Sequence, residues 1–91
     1  MENPMDRVKD KVIVITGAAS GLGLADARAL ANQGAKVVMT DIDTQAGQAH
    51  ASEIGATFVT QDVSNEASWG ELMGQVEQQF GRLDGLVNNA G

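Results

Sequence analysis

Short apolar runs alternate along the chain with longer segments of mixed polarity. Val12-Ile13-Val14-Ile15 is continuous and β-branched, as expected of a parallel strand covered on both faces. Val37-Val38-Met39, Phe58-Val59 and Leu86-Val87 repeat the theme more briefly. Between them lie three helix-length stretches, 21–33, 43–54 and 65–80. The last has the clearest helical stripe, with Trp69, Leu72, Met73, Val76 and Phe80 at spacings of three and four. Ser64 is placed to cap it, and Glu66 sits favourably against the helix dipole in its first turn. Gly34, Gly55 and Gly81 each follow a helical segment, where a left-handed terminal residue is often needed. The middle helix is the weakest, because it contains Gly47 and its apolar set of Ala46, Ala49 and Ile54 is thin. The order β-α-β-α-β-α-β predicts an α/β fold built on a parallel sheet.

Composition narrows the function. Twelve acidic residues against six basic ones give a net charge of −6, which opposes nucleic-acid binding because a polyphosphate partner needs a positive field. With no cysteine, neither a disulfide framework nor a thiolate metal site is available. His50 is the only histidine and has no acidic cluster beside it, so it reads as a solvent-facing helix residue rather than a ligand or base. Glu71 and Glu77 read as solvated positions, and Trp69 as a packing residue of the third helix. No apolar run approaches the ~18 residues of a membrane span, and a cytoplasmic protein without a membrane partner is expected. Residues 1–10 read as a polar tail and 11–91 as the folded, nucleotide-binding portion.

The chemistry gathers in loops. Thr16-Gly17-Ala18-Ala19-Ser20-Gly21-Leu22-Gly23 joins the first strand to the first helix. Such a turn presents unpaired backbone N–H groups at a helix N-terminus, where the dipole also favours a phosphate. Gly17 would allow the tight turn, Gly21 close approach of the pyrophosphate, and Gly23 close packing of helix on strand. The bland alternative is a glycine-rich turn with no ligand.

Asp41 closes the second strand, 18 residues beyond Gly23, near the ~20-residue interval at which a carboxylate meets the adenine ribose. Its charge would repel a 2′-phosphate, and Ser20 supplies no basic group in the glycine loop, so both favour NAD over NADP. Capping of the next helix, the competing role for Asp41, is one that Asp43 can fill. Asp62-Val63 follows the third strand. That carboxylate would accept from the adenine amino group while the Val63 N–H meets a ring nitrogen, or else Asp62 merely shapes the turn before the third helix.

These three motifs, with Leu83-Asp84-Gly85-Leu86-Val87-Asn88-Asn89-Ala90-Gly91, together resemble the short-chain dehydrogenase/reductase family. The likeness runs from about Lys11 to Gly91, and all four motifs fall in the family's order and spacing. It implies a partial Rossmann-type doubly wound sheet with strand order 3-2-1-4 and a cofactor crevice between the first and fourth strands. It further implies that Thr16 holds the glycine loop, that Leu22 belongs to the cofactor-binding turn and that Ile42 packs near the adenine. Asn88 would brace the sheet, while Asn89, Ala90 and Gly91 would lie toward the nicotinamide side.

The resemblance also implies what this chain lacks. The family transfers hydride with a tyrosine, a lysine, a serine and a second asparagine, all downstream of the Asn-Asn-Ala-Gly motif, and this sequence contains no tyrosine. The expected function is that of the cofactor-binding half of an NAD-dependent oxidoreductase acting on a secondary alcohol or ketone, without catalytic residues of its own. A fourth strand with an unpaired edge is expected for such a half. Phe80-Gly81-Arg82-Leu83-Asp84-Gly85-Leu86-Val87 is similar to the matching run of bacterial hydroxysteroid and related alcohol dehydrogenases, and a homotetramer is implied for the complete enzyme. A non-catalytic NAD-binding module would share every motif. A methyltransferase would share the glycine loop and the acid but not the Asn-Asn-Ala-Gly ending.

Overall fold

A computed structural model describes residues 8–89. Four strands and three helices alternate: β1 Val12–Thr16, α1 Gly21–Asn32, β2 Lys36–Asp41, α2 Thr44–Ile54, β3 Thr57–Thr60, α3 Glu66–Phe80 and β4 Gly85–Asn88. The strands form one parallel sheet in the order β3-β2-β1-β4, so β4 is an edge strand with Leu86 exposed.

The continuous apolar run of β1 has a simple cause. Successive strand residues point to opposite faces, and both faces are covered. Ile13 and Ile15 join Val37 and Met39 against Ala27 of α1 and Ala51 of α2. Val12, Val14 and Val38 pack on the other face against Leu72 and Val76 of α3. Every residue of β1 is buried. Trp69, Met73 and Phe80 flank that second cluster, which matches the packing role expected of the α3 stripe.

Gly47, the apparent flaw in α2, is the reason α2 can sit where it does. A Cβ there would overlap the tip of the Phe58 ring, lying 2.6 Å from Cδ1. Bare backbone lets the aromatic side chain of β3 lie directly on the helix. Gly55 and Gly81 end α2 and α3 with φ of 73° and 74°, and Gly34 follows α1 with φ of 90°.

Three expectations need correction. The cap of α3 is Asn65, whose side chain accepts from the Ala67 N–H at 2.9 Å. Ser64 is unavailable, because its hydroxyl and N–H both bond Asp62 Oδ1, at 2.6 and 3.0 Å. His50 is half-buried rather than solvent-facing, 3.7 Å from Glu53 across one turn of α2. Of the segment read as a tail, residues 8–10 belong to the folded unit. Val8 packs on the first cluster, and the Asp10 N–H donates to the Gly34 carbonyl at 2.9 Å.

Asp84 ties the edge strand to the sheet. Its Oδ2 accepts from the Val12 N–H at 2.8 Å, and its own N–H donates to the Val12 carbonyl at 2.8 Å. Arg82 Nη2 donates to Oδ1 at 2.6 Å. The Arg82 bond first, and the Val12 N–H second, hold the Asp84 carboxyl below the usual carboxylate range. A depressed folded-state pKa contributes stability that is present above the unfolded value, about 4, and lost as pH falls through the folded value. Asp84→Asn should therefore lower stability at neutral pH and flatten its decline below about pH 4. Urea melts of both proteins at neutral and acid pH check this.

Candidate functional site

The C-terminal ends of the parallel strands converge on one edge of the sheet, where open α/β folds bind ligands. In register, Thr16 of β1 lies beside Thr40 of β2 and Asn88 of β4. The turn after β1 and the segments after β2 and β3 enclose a cavity of about 300 Å³. Its walls are Gly17, Ser20, Asp41, Ile42, Gln61, Asp62 and Val63. Six of these were candidates from sequence. Gln61 was not.

The glycine turn is shaped by two left-handed residues, Gly17 at φ 61° and Gly21 at φ 58°, a conformation that L side chains resist. Nothing lies within 4 Å of where a Cβ would stand on Gly21, leaving that backbone open to a ligand. Gly21 borders a separate shallow depression along α1 with Leu24, Ala25 and Arg28, rather than the cavity itself. Gly23 serves a closer partner than expected. A Cβ there would strike the Gly17 carbonyl oxygen and lie 2.8 Å from its carbon, so Gly23 seats the helix on the glycine turn and not on the strand. Ser20 occupies the N-cap of α1 in extended conformation and makes no side-chain cap bond, so no side chain of its own covers the first-turn N–H groups.

Asp41 is built into this turn. Its Oδ2 accepts from the Ala19 N–H at 3.0 Å and its Oδ1 from the Asp43 N–H at 3.0 Å. A carboxylate has about four acceptor positions, so two remain for hydroxyl groups in the cavity. Asp43 caps α2 by accepting from the Ala46 N–H at 3.1 Å, which frees Asp41 from that duty. Ile42 is 71% exposed and Leu22 78% exposed. Ile42 forms an apolar wall of the cavity, while Leu22 stands outside it on the first turn of α1.

At the third strand, Asp62 both shapes the turn and lines the cavity, so its two readings are compatible. The Ser64 hydroxyl first, then the Ser64 N–H, hold its carboxyl below the usual range. Gln61 is only 3% exposed. Its Oε1 accepts from the Thr40 hydroxyl at 2.8 Å, and its N–H donates to the Asp41 carbonyl at 3.0 Å. Its one signal in the sequence is a polar residue directly after a strand and before an acid, too common a pattern to single it out.

Thr16 links the glycine turn to β4. Its hydroxyl donates to Asn88 Oδ1 at 2.8 Å and accepts from the Asn89 N–H at 3.1 Å. Asn89 Nδ2 lies 3.4 Å from Asp26 Oδ2 of α1, on the β4 side of the turn and away from the cavity lining. Ala90 and Gly91 lie outside the described residues. Among the described residues, no cluster of three or more histidine, cysteine or acidic side chains is arranged to hold a metal, and no helix is long and apolar enough to cross a membrane.

A parallel sheet in the order 3-2-1-4 with alternating helices is a partial Rossmann-type α/β fold. The chain belongs to the short-chain dehydrogenase family, whose model matches residues 11–91. It is 47% identical over 88 residues to 3-beta-hydroxysteroid dehydrogenase of Comamonas testosteroni, covering 94% of this chain and 35% of that protein. It is 43% identical over 90 residues to NADP-dependent (R)-specific alcohol dehydrogenase of Lentilactobacillus kefiri, covering 94% of this chain and 36% of that protein. L-fucose dehydrogenase of Oryctolagus cuniculus is 45% identical over 86 residues, covering 93% of this chain and 30% of that protein. The chain thus spans about a third of the length of these relatives.

Proposed function

We propose that this chain is the cofactor-binding portion of an NAD-dependent oxidoreductase acting on a secondary alcohol or ketone. The carrying observation is Asp41, a carboxylate at the tip of β2, bonded to the glycine turn and facing the same cavity as Ile42, Asp62 and Val63. The residues present fit a dinucleotide: a turn with open backbone at Gly21, a carboxylate with spare acceptor positions, and an apolar wall. A cavity of about 300 Å³ lies at the lower end of the roughly 300–1,000 Å³ range of ligand pockets, suiting the adenosine part.

In this reading the backbone of Gly17, Ser20, Gly21, Leu22 and Gly23 faces the pyrophosphate. Asp41 accepts from the ribose hydroxyls, Ile42 packs against the base, and Asp62 and Val63 read its polar edge. Asn89 and the following Ala90 and Gly91 lie toward the nicotinamide. The bound cofactor supplies or accepts hydride; the described residues bind and orient. Family membership alone leaves the choice of nucleotide open, since the Lentilactobacillus relative is named NADP-dependent. Asp41 favours NAD through repulsion of a 2′-phosphate. The 47% identity to a hydroxysteroid dehydrogenase supports a cyclic secondary alcohol among the substrates to try first.

The full-length gene product is expected to oxidise secondary alcohols with NAD, while the 91 residues, which contain no tyrosine, turn over none. Absence of turnover across a panel of secondary alcohols, with NAD binding retained, would favour a non-catalytic NAD-binding module. Turnover by the 91 residues alone would contradict the division of labour.

A further inference from the structure

We infer that Trp69 and Ser68 of α3 are positioning residues for base recognition, each holding one peptide plane of the segment that reads the adenine. The inference rests on the assignment of Asp62 and Val63 to the adenine. The Trp69 indole N–H donates to the Val63 carbonyl at 2.9 Å, and the Ser68 hydroxyl donates to the Asp62 carbonyl at 2.7 Å, sharing its proton with the Asn65 carbonyl at 2.6 Å.

A peptide unit is planar and trans, so its C=O and N–H point in opposite directions. Fixing one end therefore aims the other. The plane that carries the Val63 carbonyl also carries the Ser64 N–H, which donates to Asp62 Oδ1 at 3.0 Å. Trp69 thereby orients the N–H that sets the Asp62 carboxylate. The plane that carries the Asp62 carbonyl also carries the Val63 N–H. Val63 lines the cavity, and its N–H makes no hydrogen bond to another described residue. Ser68 thereby orients a donor left for a ligand, helped by the Asn65 N–H, which donates to the same carbonyl at 3.0 Å.

A half-buried indole usually finds some acceptor, and packing alone would account for a bond to any nearby carbonyl. The distinguishing feature is that two adjacent residues of one helix hold two consecutive carbonyls, and that the opposite ends of both planes converge on the two groups suited to a base edge. Trp69 is anchored in turn, packing on the cluster formed by Val12, Val14, Val38, Leu72 and Val76. The sheet core thus carries its rigidity to the cavity wall.

The test compares binding of NAD with binding of nicotinamide hypoxanthine dinucleotide to the full-length gene product. The hypoxanthine base has a carbonyl oxygen in place of the amino group and a protonated ring nitrogen beside it, so it uses neither contact. The native protein is expected to prefer NAD. Trp69→Phe keeps the packing but removes the donor, and should reduce that preference roughly fivefold, the effect of one hydrogen bond, with affinity for the analogue nearly unchanged. Ser68→Ala, which leaves the indole in place, should reduce the preference in the same direction and serves alone if Trp69→Phe fails to fold. Variants that weaken both dinucleotides equally, or neither, would overturn the inference while leaving the adenine assignment intact. A native protein that binds both equally would overturn that assignment and the inference together. One that binds neither would overturn the proposed function.

Discussion

Gly23→Ala is expected to abolish dinucleotide binding and to destabilise the fold by about 3 kcal/mol, the upper part of the usual range for overpacking. The new methyl group would strike the Gly17 carbonyl and lie 3.1 Å from the Ala18 Cα. Both neighbours are backbone, so neither can rotate aside as a side chain would. Alanine gains up to about 1 kcal/mol of helix propensity over glycine, too little to offset the overlap. Relief requires the helix end to lift from the turn, which displaces the first-turn N–H groups that the proposed function assigns to the pyrophosphate. Gly21→Ala is the instructive comparison. It meets no atom within 4 Å, so its cost is mainly the left-handed backbone, about 1–2 kcal/mol. Urea melts separate the two variants by stability, and calorimetry shows whether each retains cofactor binding.

Asp41→Ser should raise the Kd for NAD by about thirtyfold, from the loss of roughly 2 kcal/mol in hydrogen bonds to a charged acceptor. Affinity for NADP should rise relative to NAD, because the charge that repels a 2′-phosphate is gone. The exchange should be incomplete. Asp41 also accepts from the Ala19 N–H at 3.0 Å, so its removal should loosen the glycine turn that, in the proposed function, receives either nucleotide. Asp41→Asn removes the charge while keeping a side-chain carbonyl as acceptor, and should preserve more of the turn. Titrations of both variants with both nucleotides check this. An Asp41→Ser protein that binds NADP as tightly as the native protein binds NAD would show that the bond to Ala19 has no positioning role.

Much of the architecture was legible because it is written in local pattern. Val12-Ile13-Val14-Ile15 had to be covered on both faces, and its period-two division between two helical layers follows from strand geometry. The positions of Gly17 and Asp41 at strand ends were likewise local facts, and the bond from the Ala19 N–H of the glycine turn to Asp41 follows from parallel pairing of β1 with β2. What escaped was decided by contacts distant in sequence or by competition between neighbours. Gly47 looked like a defect because nothing local announces the Phe58 ring. Ser64 and Asn65 are both good capping residues, and Asp62 decides between them by claiming Ser64. Gln61 is one ordinary amide until Thr40 and the Asp41 carbonyl are brought against it. Gly23 was recognised for closeness, but its partner is the turn and not the strand.

The most direct test is calorimetric titration of the full-length gene product with NAD and with NADP, beside the Asp41→Ser variant. Tighter binding of NAD by the native protein, with the preference reduced or reversed in the variant, is the predicted result. A native protein that prefers NADP, or a preference unmoved by the substitution, would contradict the assignment of Asp41 to the adenine ribose.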